Sequence, residues 1–88
     1  MKKFRKKPFI IEAVQFTGPG YAEVLEEIPE AEDWNGYLDD DGTWKLEVPT
    51  LEGVAIATIG DWIIKGIKGE FYPIKQDIFE ESYEYLGE

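Results

Sequence analysis

Apolar positions along this chain fall mostly into short runs of two-residue period, separated by Gly, Pro and Asp, which is a pattern of strands and turns more than of helices. Phe9 to Thr17 reads Phe-Ile-Ile-Glu-Ala-Val-Gln-Phe-Thr. Ile10, Val14 and Phe16 share one face with Glu12, while Phe9, Ile11 and Ala13 share the other. Both faces are largely apolar, so the spacing predicts an inner strand or one covered by a helix. Glu12 is expected at a strand rim where its carboxylate reaches water, because an inward carboxylate must be hydrogen-bonded or protonated.

Thr17-Gly18-Pro19-Gly20 is a turn signal, and after it Tyr21, Val24, Leu25 and Ile28 recur at helical spacing with Glu23, Glu26 and Glu27 on the opposite side. This predicts a two-turn helix laid on a sheet and ended by Pro29. Glu30 to Asp33 reads as an acidic link. Trp34 to Leu38 is a candidate strand, Asp39-Asp40-Asp41-Gly42 a hairpin turn, and Thr43 to Val48 alternates with Trp44, Leu46 and Val48 on one face. Pro49, which has no donor, is expected to end that ladder.

Val54 to Ile59 is a continuous apolar strand broken only by Thr58. Trp62 to Lys65 and Glu70 to Ile74 read as a hairpin whose bend is permitted by Gly66 and Gly69, with Trp62 and Ile64 pointing inward opposite Phe71. In the tail, Ile78 with Phe79 suggests a helical turn, and Phe79, Tyr83 and Leu86 form a candidate inward stripe. The expected fold class is α+β, mostly β: a small curled or barrel-like antiparallel meander of five to six short strands with one short helix packed on it. Closure would remove the long exposed edges of an open sheet.

With 88 residues, of which 43% are apolar and 15% aromatic, the chain reads as one folded unit, a single small acidic domain over 1–88. Its core is thin for a monomer, so a homo-oligomer would add burial. There are no cysteines and no histidines, which removes disulfides and the ligands of zinc, copper, haem and iron–sulfur sites. Asp39, Asp40 and Asp41 with Glu47 lack the spacing of a calcium loop, and no glycine pattern cradles a nucleotide phosphate. No metal, cofactor or catalytic residue is therefore assigned, and a nucleophilic triad has no vocabulary here. A binding role is expected ahead of an enzymatic one.

Charge is unevenly distributed. Lys2, Lys3, Arg5, Lys6 and Lys7 form a +5 head, and the rest of the chain sets four cations against 19 carboxylates, a net charge of −15. Such a body repels a phosphate backbone, so nucleic acid is not an expected partner. No apolar stretch approaches the length of a membrane span or of an export signal, which points to a cytoplasmic protein. Aromatic side chains exceed what so small a core needs, and Trp and Tyr concentrate at protein interfaces. Tyr37, Asp39, Asp40, Asp41, Tyr83 and Tyr85 are the candidate partner surface.

The run Gly60-Asp61-Trp62-Ile63-Ile64-Lys65-Gly66-Ile67-Lys68-Gly69-Glu70-Phe71-Tyr72-Pro73, followed by Asp77-Ile78-Phe79-Glu80 and Tyr83-Glu84, resembles a family of short phage and prophage proteins of Gram-positive and other bacteria. Phe4-Arg5-Lys6-Lys7-Pro8, Ile11-Glu12-Ala13 and Gln15-Phe16 resemble its beginning. The resemblance implies a phage product made in a bacterial cytoplasm and carries no catalytic or ligand residue onto this chain. The expected function is an accessory protein that binds a host or phage protein through an acidic, aromatic-containing surface. Alternatives are a virion structural or assembly component and, behind it, a small-ligand binder or enzyme.

Overall fold

The computed structural model describes residues 1–5 and 9–87; Lys6, Lys7 and Pro8 of the basic head, and Glu88, lie outside the described residues. In chain order the elements are β1 (Glu12–Gln15), α1 (Ala22–Glu27), a 3-10 turn (Pro29–Asp33), β2 (Asn35–Leu38), β3 (Trp44–Thr50), β4 (Gly53–Thr58), β5 (Trp62–Lys65), β6 (Phe71–Ile74) and α2 (Gln76–Ser82). The strands form two separate antiparallel sheets, β1-β5-β6 and β2-β3-β4. This corrects the curled or barrel-like meander: the class is mixed α+β, the sheets do not close, and two helices and a 3-10 turn accompany them. The break lies at Thr58–Asp61. There β5 takes β1 rather than β4 as its partner, and Phe16 donates to the Asp61 carbonyl while accepting from the Gly60 N–H, both at 2.8 Å. Two residues opposite one make a β-bulge, which bends the chain out of the meander.

β1 is consequently an edge strand, not an inner one, and Glu12 is exposed at its rim as expected. Pro29 ends α1 but also begins the 3-10 turn, so the supposed link is ordered, with Ala31 completely buried. Tyr21 donates its hydroxyl to the Trp34 carbonyl at 2.8 Å, tying the helix entry to the start of β2.

The two hairpins β2–β3 and β5–β6 use the same turn. Asp39 accepts from Gly42 N–H and donates to the Thr43 carbonyl; Gly66 accepts from Gly69 N–H and donates to the Glu70 carbonyl. Gly42 at φ 83° and Gly69 at φ 80° occupy the left-handed position that this three-residue loop requires. The turn also sets the parity of each ladder, because hydrogen-bonded and non-hydrogen-bonded pairs alternate. In β3 the odd residues address β2 and the even ones address β4.

Pro49 therefore continues β3 instead of ending it. Its nitrogen points toward the β2 side, and β2 begins at Asn35 opposite Glu47, so no partner is forfeited. Pro73 in β6 sits opposite Ile63 on the matching off-ladder parity.

The main core lies between the sheets under α1, built from Phe16, Val24, Ile28, Ala31, Leu46, Val48, Ala57 and Ile63, with Trp34, Trp44 and Phe71 packed against it. Trp34 meets Phe71 edge-on at 5.4 Å. Phe71 pairs with Lys65 and so shares the Ile63 face, not the face of Trp62 and Ile64. That corrects the expected Trp62–Phe71 opposition. Trp62 and Ile64 turn to the other side of the first sheet with Tyr72 and Ile74, the side on which Phe79 of α2 lies. Phe79 stacks on Trp62 at 4.5 Å and Tyr83 stacks on Phe79 at 5.0 Å. Of the expected tail stripe, Leu86 stays exposed.

Candidate functional site

The second sheet has an uncovered outer face. Strict alternation in β3 sends Leu46 and Val48 inward and leaves Lys45, Glu47 and Pro49 outside, and the register places Asn35, Tyr37, Val54, Ile56 and Thr58 beside them. Val54 is 64% exposed and Ile56 45%. Together with Pro49 and Leu51 they make an apolar stripe on the β3–β4 side of the sheet.

Its rim is acidic. Residues 34–59 contain five carboxylates, Asp39, Asp40, Asp41, Glu47 and Glu52, against one cation, Lys45. Lys45 is already engaged: its Nζ lies 3.0 Å from Asp41 and 3.5 Å from Asp39 and also donates to Thr43 Oγ1. The Thr43 hydroxyl and backbone N–H donate to the same Asp41 carboxylate, at 2.6 and 3.0 Å. These bonds, the Thr43 hydroxyl first and Lys45 after it, hold the Asp41 carboxyl at about 2 instead of 3.8. The hydrogen bond to Asp41 in turn raises the Lys45 ammonium above its ordinary value. The aspartate cluster thus staples the hairpin, while Asp40, Glu47 and Glu52 leave the rim negative.

Of the candidate surface residues, Tyr37, Asp39, Asp40 and Asp41 gather at this end of the second sheet. Tyr83 and Tyr85 do not join them. Tyr83 is half-buried in the aromatic stack on the first sheet, and Tyr85 is exposed beyond it. Burial, then the neighbouring Tyr83 and Glu70, pushes the Tyr72 hydroxyl above its ordinary value. Sequence reasoning missed Val54 and Ile56, because a continuous apolar run reads as a buried strand.

Two concavities lie elsewhere. One, of about 60 Å³ between α1 and the first sheet, is edged by Glu12, Glu27, Glu30 and Lys65; it is well below the ~300 Å³ of a small-molecule pocket. The other is an open groove around the Thr58–Asp61 turn and the start of α2. Its buried charge, Asp61 at 4% exposure, accepts from Thr58 N–H at 2.9 Å and Lys75 Nζ at 3.2 Å, and Lys75 also donates to Thr58 Oγ1. This is a closed set of bonds that pins the turn between the sheets. Among the described residues no group of carboxylates is placed to hold a metal ion, and no helix is long and apolar enough to cross a membrane. Compared with known protein families, curated proteins and solved structures, the chain matches none.

Proposed function

We propose that this chain is a phage or prophage accessory protein of the bacterial cytoplasm that binds a basic host or phage protein through the outer face of the β2-β3-β4 sheet. The observation that carries the reading is the apolar stripe of Pro49, Val54 and Ile56 left uncovered inside a rim with no unengaged cation among the described residues. An apolar centre with a charged rim is the layout of a recognition surface: the centre supplies affinity and the rim supplies steering and orientation. The phage setting is supported by the resemblance of the Gly60–Pro73 run.

The test is a pull-down from infected or lysogenic host lysate with the native chain and with a Val54→Lys/Ile56→Lys double variant. The native chain should recover a basic protein, and purified partner should bind the variant at least about tenfold more weakly. Equal binding by both forms would show that this face does not carry the interaction. The unpaired edge of β4 supports a second reading, a virion or assembly component. Co-purification of the chain with mature particles would favour it.

A further inference from the structure

We infer that the free edge of β4 takes the basic N-terminal segment of a second copy of this chain as an added strand, an inference that rests on the same face proposed above. The ladder parity set at the β2–β3 turn directs Ala55 and Ala57 toward β3 and turns the backbone N–H and C=O of Val54 and Ile56 off the sheet. At the far end of the strand the matching groups of Thr58 are taken: its N–H by the Asp61 carboxylate and its carbonyl by the Asp61 N–H. The open stretch is therefore Val54 to Ile56. It is uncharged and apolar, which makes it a template for pairing with another chain.

Charge selects the occupant. Glu47 and Glu52 flank this stretch, and the body as a whole carries −15, so an incoming strand must be basic to approach. Within the chain one segment answers that description. Met1 to Arg5 carries Lys2, Lys3 and Arg5 and lies exposed along its length, with Phe4 90% exposed. Five extended residues reach about 17 Å, enough to run past Val54 and Ile56. An extended segment also alternates its side chains, so that Phe4 can lie over the apolar stripe with Lys2 beside it toward the acidic rim, while Lys3 and Arg5 point to the opposite face. Reciprocal exchange between two copies uses each segment and each edge once and closes as a two-fold dimer.

Sedimentation equilibrium of the full chain tests this at about 0.15 M salt, where a screening length of about 8 Å damps whole-chain repulsion but not contact charges. Wild type should show a concentration-dependent dimer. Ile56→Pro removes a donor that points off the ladder, as the native Pro49 and Pro73 do, and should weaken the dimer about tenfold or more with an unchanged circular dichroism spectrum. If that variant fails to fold, Ile56→Lys replaces it. A Lys2→Glu/Lys3→Glu/Arg5→Glu variant should weaken association comparably. Mixing the edge variant with the segment variant should restore one contact and give a heterodimer that neither forms alone. A monomeric wild type overturns the inference, as do variants that associate like wild type or a mixture that shows no recovery. A monomer that still captures a basic partner sinks this inference alone, whereas a dimer that captures none sinks the proposed function alone.

Discussion

Each sheet has one central strand, β5 in the first and β3 in the second, and the two are covered differently. β5 places consecutive residues, Ile63 and Ile64, at 0% exposure, one on the main-core face and one on the face where Phe79 meets Trp62. β3 reaches 0% only at alternate positions, Leu46 and Val48, and gives Lys45, Glu47 and Pro49 to the outside. The first sheet is thus covered on both faces at β5, and the second is an outer wall. Connection length explains the difference. α2 follows β6 almost at once, so it folds back onto the sheet it leaves, and its Phe79 and the capping Tyr83 reach Trp62 and Tyr72. No element of the described chain then remains to cover β4.

The largest expected effects compare the two coverings directly. Leu46→Ala and Ile64→Ala should each lower the unfolding free energy by about 2 to 5 kcal/mol, because both truncate a fully buried side chain and leave a cavity. Chemical denaturation that gave Ile64→Ala a loss under about 1 kcal/mol would show α2 to be a loose flap and erase the contrast. Next in size is Asp61→Ala, which strips the Thr58 N–H of its acceptor at the junction of the sheets. The expected loss is about 1 to 3 kcal/mol, read from the same unfolding curves, with amide exchange at Thr58 accelerated.

Smaller still is Ile56→Lys on the open face. Stability should stay within about 0.5 kcal/mol of wild type while partner capture is lost; a large destabilisation would mean that the outer face is packed after all. The smallest effect concerns the hairpin staple. Asp41 has a depressed folded pKa of about 2 against an ordinary 3.8, so its contribution is complete above the ordinary value and fades as pH falls through about 2. Carboxyl chemical shifts followed by NMR should give Asp41 a midpoint near 2, rising toward 3.8 in Thr43→Val. An unshifted midpoint in wild type would dissolve the Thr43–Asp41–Lys45 network.

Comparable apolar runs had opposite fates, and that limits how far patterning can be read. Trp62-Ile63-Ile64 and Val54-Ala55-Ile56-Ala57 both lack the alternation that distinguishes an outer strand. The first is buried on both faces because an aromatic helix lands on it. The second becomes an edge with Val54 and Ile56 in solvent. Pro49 and Pro73 show the same limit in the backbone. A missing donor excludes a proline only where a neighbouring strand is present to need it, and the turns decide which residues face that neighbour.

What the amino-acid order determined on its own was local: the positions of six strands, the helix at Val24 and Leu25, the shared glycine turn of two hairpins, and an acidic body behind a basic head. These follow from side-chain periodicity, from the steric freedom of glycine and from counting charges, none of which needs a distant contact. The division into two sheets, the edge position of β1 and β4, the tyrosines' separation and the open acidic face were decided by tertiary structure. Each depends on which strand wins a partner far away in the chain, and local pattern is indifferent to that competition.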